Sequence, residues 1–555
     1  MTQSYTVTAV AVVVLATVLV GGFGLRISRT TSDFYVASRT VGPGLNAAAI
    51  SGEYLSAASF LGVAGLVLLH GPDMLWYPVG YTAGYLVLLV FVAAPLRRSG
   101  AYTLPDFAEG RLESRAVRRL VSVFVVGAGW LYLVPQLQGA GLTLRILTGA
   151  PDWFGGVLVA LVVVVAVAAG GMRSITFVQA FQYWLKLTAL LVPALFLLLA
   201  WQGDGRPRVD LALTSAVAGR ADHPLYATYG LIVATFLGTM GLPHVVVRFY
   251  TSPNGRAARR TTVFVLALIG AFYLLPPVYG ALGRLYVPEL PLGVNADAAV
   301  LLLPERAIGG LGGALLGALV AGGAFAAFLS TASGLTMAVA GVLTQDVLPS
   351  RGVRHFRLAT PLAMAVPLGG SLLVSGMPVA DSVGMAFAVS ASSFCPLLVL
   401  GIWWRRLTPP GVIAGLLLGG GLAFAATVIT VSGVVRSGWP HALFAWPAVW
   451  SVPVGFLAMI LVSLATRGRI PPGTNAAMTR FHLPEALMPG ARGGPGSGPG
   501  SVGGGPAGVH GADGAGGASG VGGASGVGGT SGAGGTSGAG HAGGAGGTSA
   551  GGGAR

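Results

Sequence analysis

The chain has 555 residues, of which 54% are hydrophobic and only 9% charged, with a mean hydropathy of +0.76 and a formal net charge of +15. Soluble domains carry about 25% charged residues, so the composition excludes them and points to a polytopic membrane protein. The excess of arginine sits in short loops between apolar runs, which argues against a nucleic-acid partner. The single cysteine, Cys395, excludes a disulfide framework and a thiolate metal site.

The N-terminus, "MTQSYTVTAVAVVVLATVLVGGFGLR", has neither a basic leading region nor an A-x-A-like cleavage site. It is expected to be a retained first helix. Runs of about 20 apolar residues mark spanning helices. Thirteen are expected, at 6–25, 45–70, 75–96, 119–147, 154–172, 175–201, 227–248, 262–285, 311–345, 358–376, 380–404, 411–433 and 442–466. Basic residues favour cytoplasmic loops. With the N-terminus outside and the C-terminus inside, inner loops receive clusters such as Arg97, Arg98, Arg111, Arg115, Arg118 and Arg119, and Arg248, Arg256, Arg259 and Arg260. A membrane domain is therefore expected over 1–487. From 488 to 555 the chain becomes low-complexity, with units such as "GGASGVGGASGVGG" that have little side chain to bury. It reads as a disordered cytoplasmic tail.

The second span, "NAAAISGEYLSAASFLGVAGLVLLHG", carries Gly52, Glu53, Ser56 and Ser59. A carboxylate and a glycine break are costly in hydrocarbon unless they serve a site. Lys186 is the other charge in mid-membrane, while His244 and Asp346 lie towards helix ends. In the seventh span, Gly238, Gly241 and Pro243 make a second break. Two broken segments at corresponding places suggest inverted repeats around a midplane site, here about 45–201 and 227–404. In the ninth span, Ala327, Ser330 and Thr331 stand at i, i+3 and i+4 on one face. Their oxygens suit a small hard cation, although Ser and Thr beside small residues are common packing positions in membrane helices. No H-E-x-x-H and no G-x-x-x-x-G-K-[ST] occurs. No nucleotide is expected to drive the protein, which leaves an ion gradient. No clustered nucleophile, base or metal ligand suggests an enzyme, and no signalling domain follows the membrane region.

Several stretches together resemble the sodium:solute symporter family: "SDFYVASRTVGPGLNAAAISGEYLSAASFLG", "GGMRSITFVQAFQYWLKL", "FLGTMGLPHVVVRFYTSPNGRAAR", "AAFLSTASGL" and "FAVSASSFCPLLVLGIWWRRLTPPG". Within it, "GGM…T…Q…QYW" and "GTMGLPHVVVRFYT" look most like the cation:acetate, or monocarboxylate, branch. The resemblance implies a LeuT-like core of two inverted five-helix repeats and a sodium ion at the crossing of spans 2 and 9. Carried over by motif, its ligands would be the carbonyls of Gly52, Leu55 and Ala327 and the hydroxyls of Ser330 and Thr331. Two departures stand out. The usual G-D-Y-M-S is here Gly52-Glu53-Tyr54-Leu55-Ser56, and the usual A-N-F-P is Ser393-Phe394-Cys395-Pro396.

The resemblance implies a multi-pass plasma-membrane transporter that takes up a small organic anion such as acetate with Na⁺ and needs no cofactor. A relative for proline, a sugar or another organic acid is the alternative. Ser56, Ser59 and Thr239 are candidate substrate contacts. Phe60 and Phe387 are either walls or packing residues. Glu53 could balance the cation's charge, carry a proton, or cap the second half of the broken helix. Lys186 could pair with a carboxylate or reach for the interface.

Overall fold

The computed structural model describes residues 2–27, 31–209, 223–290, 296–347, 352–373 and 379–487. The Gly-rich segment expected to be a tail lies outside them. The described residues are helical, with no strand among them. Ten of their helical segments are long and apolar enough to cross a membrane, or eleven if one bent pair counts as a span. The two longest run to twice a single crossing or more. Ala58–Ser99 has 42 residues and Asp152–Gly203 has 52, against about 20 for one passage. The second changes direction at Gly171, whose φ of +56° and ψ of −161° are non-helical and open to glycine at little cost.

The helices are sided as lipid demands. Along Asp152–Gly203, Phe177, Phe181, Trp184, Leu191 and Leu195 are exposed, whereas Gln179, Gln182, Tyr183 and Lys186 are buried. In water this distribution would be inside out. In a bilayer it places apolar side chains against acyl chains and the polar row in the protein interior.

Both glycine-marked breaks are present. Helix Pro43–Tyr54 ends at Leu55, whose ψ of 85° leaves the helical region, and the chain resumes through a π-turn at Ala58–Gly62 into Val63–His70. Helix Pro224–Gly241 meets Pro243–Phe249 at 41° across Leu242; Pro243, with no N–H to satisfy, stands in the first turn of the second half. The centre is tightly packed. A Cβ added to Gly52 would lie 2.1 Å from the carbonyl oxygen of Gln179, so glycine lets Pro43–Tyr54 touch the backbone of Asp152–Gly203. Helix Gly310–Val342 packs on the same long helix and is buried along nearly all of its length.

One placement differs from the sequence expectation. Arg248, assigned above to an inner loop, is 1% exposed inside Pro243–Phe249. The break at Leu242 carries the short helix into the protein, and the arginine goes with it.

Candidate ion and substrate site

Where the second span breaks, helical hydrogen bonding lapses and main-chain oxygens are left without their usual partners. The ammonium of Lys186 takes them. Its Nζ donates to the carbonyl of Leu55 at 2.7 Å, to Ser330 Oγ at 3.0 Å, and to the carbonyl of Gly52. Lys186 is fully buried. It neither pairs directly with a carboxylate nor extends to the interface.

The five residues expected around a sodium ion are thus brought to one crossing, but with a different occupant. Gly52, Leu55 and Ser330 surround Lys186. Ser330 Oγ also donates to the carbonyl of Ala327 at 3.0 Å, and Thr331 Oγ1 donates to the carbonyl of Glu53 at 2.6 Å. Each oxygen of the set is engaged within the protein.

The Glu53 side chain accepts from Arg248 Nε at 2.5 Å, and both residues are buried. Arg248 also donates to Thr176 Oγ1 at 2.9 Å and to Gln179 Oε1, while Gln179 Nε2 donates to the Ser330 carbonyl at 2.8 Å. Glu53 therefore balances charge, but chiefly that of Arg248. Capping of the second half-helix falls elsewhere, since the Ala57 N–H donates to Gln136 Oε1 at 3.0 Å. Two cations against one carboxylate leave this network with one positive charge in excess. Asp346 stands apart, in ion pairs with Arg118.

Beside the crossing lies an aromatic cluster. Tyr54 packs edge-on to Tyr81, Tyr85 and Phe387 with centroids 6.0, 4.8 and 6.2 Å away, and Phe387 also meets Tyr81 at 4.9 Å and Tyr132 at 5.7 Å. Tyr132 in turn meets His244 at 5.4 Å. Of the candidate substrate contacts, Thr239 Oγ1 lies 2.7 Å from the Tyr54 hydroxyl and Ser59 Oγ 2.8 Å from that of Tyr273. Ser56 is buried in the break itself. Phe60 packs against Phe272, which meets Tyr273, and Tyr273 in turn stacks on Tyr81. The hydroxyls of Tyr81 and Tyr85 and both ring nitrogens of His244 are buried without a hydrogen-bond partner among the described residues. Buried polar atoms are rarely left so.

The sequence profile of the sodium:solute symporter family matches residues 34–419, which span both broken helices and the Lys186 crossing. The chain belongs to that family. This symporter is 30% identical over 468 residues to the uncharacterized symporter YwcA of Bacillus subtilis, covering 80% of this chain and 90% of the relative. It is also 30% identical over 490 residues to a monocarboxylic acid transporter of Corynebacterium glutamicum, covering 78% and 87%. Its fold resembles that of a Na⁺-coupled sialic acid symporter in a substrate-bound outward-open state, with a TM-score of 0.62 at 13% identity over 83% of this chain and 97% of that one. It also resembles a nucleobase-cation-symport-1 transporter in a closed conformation, at 0.50 and 15% over 81% and 99%. The fold is LeuT-like. The protein is a multi-pass membrane transporter that works by secondary active symport, not an enzyme.

Sequence reasoning missed Gln136, Thr176, Gln179 and the tyrosines of the aromatic cluster, and placed Arg248 wrongly. One signal was available. Gln179 and Lys186 are seven residues apart, two helical turns on one face, in an otherwise apolar run.

Proposed function

We propose that this symporter carries a short monocarboxylate such as acetate into the cell by alternating access of two inverted repeats, about 45–201 and 227–404. The observation that carries this reading is the uncompensated positive charge of the Lys186–Arg248–Glu53 network, next to the unpartnered hydroxyls of Tyr81 and Tyr85 and the unpartnered ring of His244. An isolated buried charge is costly. A carboxylate admitted among these rings as they part would supply the missing negative charge and accept from the idle donors. The name of the Corynebacterium relative points the same way.

Carrying a monoanion alone against an inside-negative potential of about 100 mV costs roughly 2.3 kcal/mol. One monovalent cation per carboxylate removes that cost. Family membership and the Na⁺-coupled fold neighbour support sodium as the usual partner. In this chain the expected sodium oxygens already hold an ammonium, so no transport step is assigned to an ion bound among them.

The test is uptake of labelled acetate into liposomes containing the full chain, with unlabelled propionate, pyruvate, proline and glucose as competitors. Competition by the short acids alone is expected. Competition by proline or glucose with no effect of the acids would overturn the substrate class.

A further inference from the structure

We propose that the Lys186 ammonium is the resident cation of the broken-helix crossing, standing where the fold would otherwise hold Na⁺, so that this position takes no sodium and uptake proceeds without it. The inference rests on the symport reading above and concerns its ion requirement.

Three geometric facts carry it. First, the donor count matches. An ammonium has three N–H groups, and three acceptors face Nζ: the carbonyls of Gly52 and Leu55 and the hydroxyl of Ser330. A neutral amine would have only two N–H groups to offer them. Second, those three belong to the five-oxygen set implied for sodium, and the other two are spoken for. The Ala327 carbonyl accepts from Ser330, and the Thr331 hydroxyl donates to the Glu53 carbonyl. An incoming ion would compete with these bonds, and would lie in contact with a like charge. Third, the ammonium links the elements that an ion at this crossing would link. It extends from Asp152–Gly203 and ties the break after Pro43–Tyr54 to Gly310–Val342. Gln179, two turns earlier on the same helix, bonds to Ser330 and Arg248 and fixes the face from which the lysine projects.

Two measurements on the full-length wild-type chain decide the matter. In liposomes with fixed membrane potential and pH gradient, acetate uptake is expected to stay within twofold when choline replaces Na⁺ on both sides; a tenfold fall would overturn the proposal. In detergent, thermal unfolding is expected to be the same in NaCl and in choline chloride of equal ionic strength. A saturable, Na⁺-specific stabilisation would overturn it as well. In Lys186→Ala the vacated oxygens are expected to gain such a stabilisation, and a folded variant indifferent to Na⁺ would refute the idea that the lysine stands in for the ion. Should Lys186→Ala fail to fold, the wild-type arms remain decisive. Failure of acetate uptake under every gradient would sink the substrate reading, while the sodium titration would still report on Lys186.

Discussion

The Nζ of Lys186 lies 2.7 Å from the main-chain oxygen of Leu55, although 131 residues separate them in sequence. That bond joins the middle of one long helix to the gap in another. It is the hub around which Ser330, Gln179, Arg248 and Glu53 are arranged.

The Glu53–Arg248 pair is buried at both ends. Removing one partner of such a pair leaves an uncompensated charge and costs about 3–5 kcal/mol. Glu53→Gln is therefore expected to lower the melting temperature sharply and to abolish uptake. The double variant Glu53→Gln, Arg248→Met is expected to recover much of the stability but not the transport. Melting in detergent, read beside uptake, checks both. Equal stability of wild type and Glu53→Gln would show that the pair is not ionised as described.

Gly52 is needed for close approach. Its substitution by alanine would place a methyl group 2.1 Å from the Gln179 carbonyl oxygen, whereas a Cβ at Gly44 in the same helix meets nothing within 4 Å. Gly52→Ala is expected to abolish folded expression, and Gly44→Ala to leave it near normal. Size-exclusion profiles of tagged protein compare the two directly.

Tyr85 has a buried hydroxyl with no partner among the described residues. Tyr85→Phe thus removes nothing the empty protein uses, so its stability is expected to hold. If the hydroxyl serves the substrate carboxylate, a hydrogen bond to a charged group worth about 1.5–3 kcal/mol is lost, which is roughly a 10- to 100-fold rise in KM. Uptake kinetics with unchanged melting would bear this out. An unchanged KM would remove Tyr85 from the site.

Glu485 lies beyond the last span. Burial pushes its carboxyl up, but the N–H of Gly255 at 2.7 Å and the nearby Arg98 more than offset this, and the net shift is downward. A carboxylate lowered in the folded state contributes stability that is present above its unfolded value near 4.3 and lost as the pH falls below it. The segment holding Glu485 is expected to loosen on acidification below about pH 4.3. Limited proteolysis at pH 3.5 and pH 6 should show more cleavage near 483–487 at the lower pH. Glu485→Gln should flatten the difference.

The sequence disclosed the parts of this site that are local. Apolar length revealed the spans, Gly52 and Pro243 marked the breaks, and the i, i+3, i+4 spacing of Ala327, Ser330 and Thr331 put their oxygens on one face. What it hid was tertiary. Arg248 follows an apolar run and precedes "TSPNGR", which reads as the edge of a loop; only the bend at Leu242 turns it inward. Lys186 could be recognised as an anomaly, but its partners lie 131 to 144 positions away, and no periodicity connects residues across such a distance. The aromatic cluster was invisible for a similar reason, because its rings come from five separate helical segments.

A charge carried on a side chain differs from a dissolved ion in one respect: it has no bulk concentration. The effective concentration of the Lys186 ammonium at its oxygens is set by the length and anchoring of its own stem, and dilution of the medium cannot lower it. A crossing filled in this way is expected to stay assembled in fresh water and in brine alike. On the sodium-free reading proposed above, uptake is expected to follow the supply of substrate and not the salinity of the surroundings.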